Sequence, residues 1–155
     1  MAPMKILSSL SLFLIAAQAA TIRFYPFVGC SGTAVQCGNI NAGVCCSASN
    51  VYASAKLLDT FDCTFDAWAS LGCTGFKQGG ALVGVLISGK YFTINHDNDR
   101  RDISTHDEEC VKPDSIVYTN IDGDEVVVPI PEGQQALYEA AVLEGDLSNL
   151  GIQNV

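Results

Sequence analysis

Two stretches, IRFYPFVGCSG at residues 22–32 and FDAWASLGCTG at residues 65–75, decide how this chain is to be read. Each ends in Gly-Cys, then Ser or Thr, then Gly. Superposed on that ending, Tyr25 falls on Trp68 and Val28 on Leu71. An aromatic residue three positions before an apolar one, followed by a glycine-marked corner, describes a strand that turns sharply into its partner. A catalytic thiol would need a depressed pKa and a neighbouring base. Neither stretch carries a base beside its cysteine, so both read as corners of a repeated β unit.

Upstream of the first corner, residues 1–20 read MAPMKILSSLSLFLIAAQAA. A basic residue near the start, an apolar run and small residues at alternate positions describe a secretory signal peptide, assigned to residues 1–19. Serines and Gln18 break the run too often for a bilayer span. The expected product is secreted and extracellular, with one disulfide-stabilised β domain over 20–145 and a fraying tail over 146–155. Its repeat units run over about 21–62 and 63–110, with a hairpin and a helix after them.

All seven cysteines (Cys30, Cys37, Cys45, Cys46, Cys63, Cys73, Cys110) come after the leader, and an oxidising compartment makes each a disulfide candidate. Three bridges and one spare thiol is the simplest count. Cys45 and Cys46 are adjacent and should point apart to different partners. A zinc site would need paired cysteines or histidines at matching spacing, which the chain lacks.

Charge divides unevenly. Residues 20–96 hold four bases and three acids, whereas residues 97–155 hold three bases and fourteen acids, within a whole-chain net charge of −9. Nucleic acid and anionic membrane are thereby disfavoured as partners. The acidic half reads as a solvated face.

Residues 21–27 are rich in β-branched and aromatic residues and form a strand. VYASAKLL (51–58) is open between strand and helix. The apolar run 81–87, a turn at Ser88-Gly89-Lys90 and a strand over 91–95 make a hairpin. SIVYTNI and DEVVVPI, flanking Asp122-Gly123, make a second one, and the surrounding acids Asp122, Asp124 and Glu125 read as turn chemistry. Helix formers after Pro131 place Leu137, Ala140, Ala141 and Glu144 at helical spacing, ending at Gly145.

Candidate chemistry concentrates in INHDNDRRDISTHDEEC, residues 94–110. His96, Asp97, His106 and Asp107 are the candidate catalytic residues, and Asp97, Asp99 and Asp102 the candidate metal ligands. Sequence neighbours in a strand face opposite ways, however, and the spacing matches no established metal motif. The segment therefore reads first as a polar connection, and no cofactor is implied.

The two aligned corners resemble the opening of a βγ-crystallin Greek-key motif, in which an aromatic strand leads to a glycine-marked turn. That resemblance, over residues 21–95, implies an antiparallel Greek-key sandwich, mainly β with one short C-terminal helix, in which two four-strand units share a core. The crystallin calcium signature has no clean counterpart, as Asp97-Asn98 and Asn98-Asp99 fail at its later positions. The leader, AATIRFYPFVGCSG and the C-x6-C-x7-CC spacing are also similar to small secreted cysteine-rich proteins of fungi. This similarity implies an exported protein that acts outside the cell, as effector, toxin, inhibitor or wall component. A cysteine frame with no assembled catalytic set points to a non-enzymatic, effector-like binding protein whose partner is an extracellular protein or a cell-wall glycan. The alternatives are a secreted metal-dependent hydrolase using the segment from His96 to Glu109, and a proteinase inhibitor.

Overall fold

The computed structural model describes residues 19–60, 63–75, 77–79, 83–93 and 110–152. The signal-peptide assignment over its first 18 residues, and the segment 94–109, lie outside the described residues. Among the described residues the fold is mainly β: β1 (Ala20–Tyr25), β2 (Ala34–Ile40), β3 (Cys46–Leu58), β4 (Cys63–Trp68), β5 (Lys77–Gly79), β6 (Val83–Thr93), β7 (Ser115–Thr119) and β8 (Glu125–Pro129) are followed by one α-helix, α1 (Gln135–Glu144). The eight strands form one antiparallel sheet in the order β5-β4-β6-β3-β1-β2-β7-β8.

The first six strands repeat. β1 pairs with β2 and β3, β4 pairs with β5 and β6, and the β3–β6 ladder joins the two units back to back. Tyr25 lies opposite Ser54, and Trp68 lies opposite Ser88. The two corners share their backbone. Gly29, Cys30 and Gly32 have φ of 91°, 52° and 84°, and Gly72, Cys73 and Gly75 have φ of 73°, 52° and 76°. Glycine takes these left-handed values without steric cost, which is why the repeated motif is written with two glycines.

Each corner is clasped by a serine. Ser54 Oγ donates to Phe27 O at 2.6 Å and accepts from Cys30 N at 3.1 Å. Ser88 Oγ donates to Ser70 O at 2.6 Å and accepts from Cys73 N at 3.0 Å. Phe27 and Ser70 stand three residues before the corner cysteine in their respective units, so the contact is the same in both. Both serines are fully buried, where a hydroxyl must keep its partners.

This clasp corrects the reading of Ser88-Gly89-Lys90 as a turn. β6 runs unbroken from Val83 to Thr93, and the small residues are there for close approach. A Cβ on Gly89 would stand 2.9 Å from the Phe65 ring and 3.5 Å from Ile22. The stretch 51–58 is strand throughout, within the longer β3.

Alternation sets the faces of the sheet. Ile22, Phe24, Val35, Cys37, Ala55, Leu86 and Ile116 enter the core, and Phe24 meets Tyr52 at a ring separation of 5.8 Å. Cys37–Cys46 ties β2 to the start of β3, and Cys45–Cys73 ties the same point to the second corner. In place of the expected three bridges, the seven cysteines, all among the described residues, form two. Cys30, which matches Cys73 in the repeat, instead turns its thiol to Ala55 O at 3.3 Å.

The chain after β6 completes this frame. β7 pairs with β2, and β8 with β7. The hairpin turn is closed by Asn120, whose side-chain oxygen accepts from Asp122 N and Asp124 N, with Gly123 at φ 87°. Helix α1 ends on Gly145 in the left-handed region, as expected. Of the residues at helical spacing, Ala141 is buried together with Glu139 and Val142, and Leu137 is exposed. Beyond Asp146, Leu147 enters the core, and Leu150 and Ile152 pack against it.

Glu139 fixes the face that the helix turns inward. Its carboxylate accepts from Ser49 N at 2.8 Å, Asn50 N at 3.1 Å and Asn50 Nδ2 at 3.3 Å, with Tyr52 OH at 3.5 Å. The register of β3 against β6 is irregular here, so these amides lack a regular ladder partner, and the helix supplies it. Burial raises the Glu139 pKa, opposed by the bonds from Ser49 and Asn50, and burial with the nearby carboxylate raises that of Tyr52.

Two outcomes are expected. Ser54→Ala and Ser88→Ala should each cost about 1–3 kcal/mol of stability in urea unfolding, since each leaves a corner amide without its acceptor; equal costs at the two sites would reflect their equivalence. For Glu139, the folded pKa stands above the ordinary 4.5, so the folded state holds the proton more tightly. Its contribution to stability therefore falls as pH rises from about 4.5 through the folded value. Glu139→Gln should flatten that dependence in unfolding curves between about pH 4 and 7, and Glu139→Ala should cost roughly 2–4 kcal/mol by stranding the two amides.

Candidate functional site: a polar cleft on the open face

Thr21, Arg23 and Tyr25 alternate along β1 with Ile22 and Phe24 and so face the other side of the sheet, where Thr21 and Tyr25 are buried and Arg23 half-buried, and their neighbours across the ladders share that face. Arg23 lies opposite Gln36 on β2 and Lys56 on β3. The first corner, held by Ser54, folds over one end of this face. The β7–β8 hairpin closes the other. Between them lies a cavity of about 260 Å³ lined by Arg23, Tyr25, Lys56, Glu125 and the corner residues Cys30 to Gly32, with Thr119 at its hairpin side.

Arg23 organises the cleft. Its Nε donates to Gln36 Oε1 at 2.8 Å, and its two terminal nitrogens donate to the two carboxylate oxygens of Glu125 at 2.7 Å each. Two strands separate β1 from β8 in the sheet, so this bidentate contact requires the sheet to curl toward its polar face. The pair shifts both partners in the directions a salt bridge demands. The hydrogen bond to Glu125, together with Tyr25 nearby, raises the Arg23 pKa against the opposing effect of burial. Arg23, with Lys56 adding, holds Glu125 below the ordinary carboxylate value.

Lys56 is exposed and makes no ion pair among the described residues, yet it is near enough to act on Glu125. The cleft thus holds two cations and one carboxylate. The same positions in the second unit are self-neutralising: Asp66 replaces Arg23, lies opposite Lys90 and pairs with Lys77.

A second, more open groove of about 530 Å³ is bordered by Cys110, Lys112, Asp114, Glu132 and Gln135. Asp114 is already committed there to Gly38 N and Ser115 Oγ. Burial raises the Cys110 thiol pKa against the opposing charge of Lys90.

His96, Asp97, Asp99, Asp102, His106 and Asp107 lie outside the described residues. Among the described residues, no group of three or more histidine, cysteine or acidic side chains could hold a metal ion, and no helix is long and apolar enough to cross a membrane. Sequence reasoning passes over Arg23, Lys56 and Glu125. It places Glu125 in turn chemistry, whereas the residue begins β8 and faces Arg23. The available signal is the repeat itself: the alignment that sets Tyr25 on Trp68 also sets Arg23 on Asp66, reversing the charge at one equivalent position.

No curated protein and no solved structure matches the chain. The family model ARB_05566_N, described as an N-terminal domain, matches residues 21–114, from β1 to the residue before β7. The hairpin that supplies Glu125 and the helix that supplies Glu139 therefore come after the matched domain, and the chain belongs to the ARB_05566_N family.

Proposed function

We propose that the protein is exported and acts outside the cell as an effector-like binding protein, on a pair of Greek-key units of the βγ-crystallin kind. The observation that carries the binding reading is the polar cleft over Arg23, which is walled on both sides and centred on a cation already engaged with a carboxylate. Convergent polar groups held on a rigid sheet fix the orientation of a ligand that can meet their charges and hydrogen bonds. The repeat on which the Greek-key reading rests is supported by the matching corners, their serine clasps and the symmetric order of the first six strands, three to each unit. Export is supported by the leader read in the sequence and by two disulfides, a bond type that persists in oxidising compartments.

The test is a parallel titration of the isotopically labelled mature protein with cell-wall polysaccharides, secreted proteases and other extracellular proteins, read by amide NMR. One ligand class should shift amides of β1, residues 30–32 and residues 118–125 while leaving the ligand chemically intact. Shifts confined to other surfaces, or turnover of the ligand, would overturn the reading.

A further inference from the structure

Resting on that reading, we infer that the cleft receives a sugar unit bearing a carboxylate, gripped by Lys56 and by Arg23 as Glu125 gives way. Three observations converge on this ligand.

The first is charge. The protein carries a net −9, yet this cleft places two cations around one carboxylate. Arg23 and Lys56 lie directly opposite on adjacent strands, an arrangement of like charges that destabilises a sheet. Glu125 offsets one of the two, and Lys56 lines the cavity without an ion pair among the described residues. An incoming anion relieves that repulsion, so the site favours a negative ligand over a neutral one of the same shape.

The second is recognition geometry already on display. Arg23 presents both terminal nitrogens to a carboxylate at 2.7 Å, the forked contact by which guanidinium groups select planar carboxylates. Glu125 is more than half exposed at its side chain and sits at the start of β8, beside the hairpin turn. It can swing to solvent when an incoming carboxylate takes its place on the guanidinium, so that Arg23, only 12% exposed at its side chain, is not left without an anion.

The third is size and lining. About 260 Å³ is below the roughly 300–1,000 Å³ of sites that take drug-sized molecules, and suits a single ring. Ser31, Thr119 and Tyr25, each with a hydroxyl, line it along with the charged groups. Such walls suit a polyhydroxylated ring and offer a lipid chain nothing to bury against.

The experiment titrates the full mature protein with galacturonate oligomers, with the same oligomers methyl-esterified, and with acetate, reading amide shifts and affinity. Galacturonate oligomers should shift the amides of residues 23–25, 30–32, 56 and 119–125. Lys56→Ala should weaken them about tenfold, the loss expected for one charged contact. Glu125→Gln should tighten binding several-fold by freeing Arg23, with the fold of both variants checked by their amide spectra. Equal binding of the esterified oligomers, weaker binding in Glu125→Gln, or saturation of the same amides by acetate at the sugar's concentration would each overturn the inference. If another ligand class moves these amides while galacturonate does not, this inference falls alone. Silence of these amides toward every class removes the binding reading beneath it as well.

Discussion

Two buried serine hydroxyls, Ser54 and Ser88, hold the corners on which the rest of the sheet depends. Each reaches from a strand interior into the turn of the neighbouring strand, donating to a carbonyl and accepting an amide of the same loop. A corner held this way must fold flat over the sheet. The backbone then needs left-handed turns before and after the cysteine, and the glycines meet that need. The clasp also explains why a strand as long as β6 carries Ser88-Gly89 at its middle. The serine serves the corner, and the glycine leaves room for Phe65 beside Ile22, where the cores of the two units meet.

The segment after residue 114 turns this pair of units into a finished domain through two carboxylates in opposite environments. Glu139 is buried, raised in pKa by desolvation, and bonded to amides that the irregular β3–β6 ladder leaves over. Glu125 is exposed, lowered in pKa by Arg23, and spans a curled face. One fixes the helix to the frame, and its loss would strand backbone donors inside the protein. The other reaches in from solvent to neutralise a largely buried cation, where another anion can take its place. The first role is structural and the second is exchangeable.

Much of this architecture is legible in the sequence. The repeat, the strands around residues 21–27 and 115–129, the helix ending at Gly145 and the divergence of Cys45 and Cys46 all come from local patterns that tertiary packing then respects. Small residues whose reason is distant mislead. Ser88-Gly89 has the composition of a turn, and only the second corner, some fifteen residues earlier in the chain, shows why a strand would need it. Likewise, nothing in the local spacing of the helix reveals that an acidic residue, Glu139, will be buried while Leu137 is exposed. The cleft escapes a sequence reading for a related reason. Arg23, Lys56 and Glu125 are unremarkable singly, and their meeting depends on sheet order and curl.

The fold gives the uneven charge along the chain a different meaning. Read as a solvated acidic face, the second half needs no partner in the first. Yet the bidentate contact joins Arg23, from the nearly neutral half, to Glu125, from the acidic one, over 102 positions of sequence. The second repeat unit shows that such a partner is not required in principle, because Asp66 is neutralised by Lys77 from within its own unit. The first unit departs from that solution at the equivalent residue, and leaves Arg23 opposite Lys56. A fold alone would be served better by the neutral arrangement, since like charges opposed across a ladder cost stability. The departure falls where the corner, the curl of the sheet and the hairpin enclose a cavity, so charge reversal at position 23 is the point where the two units stop matching.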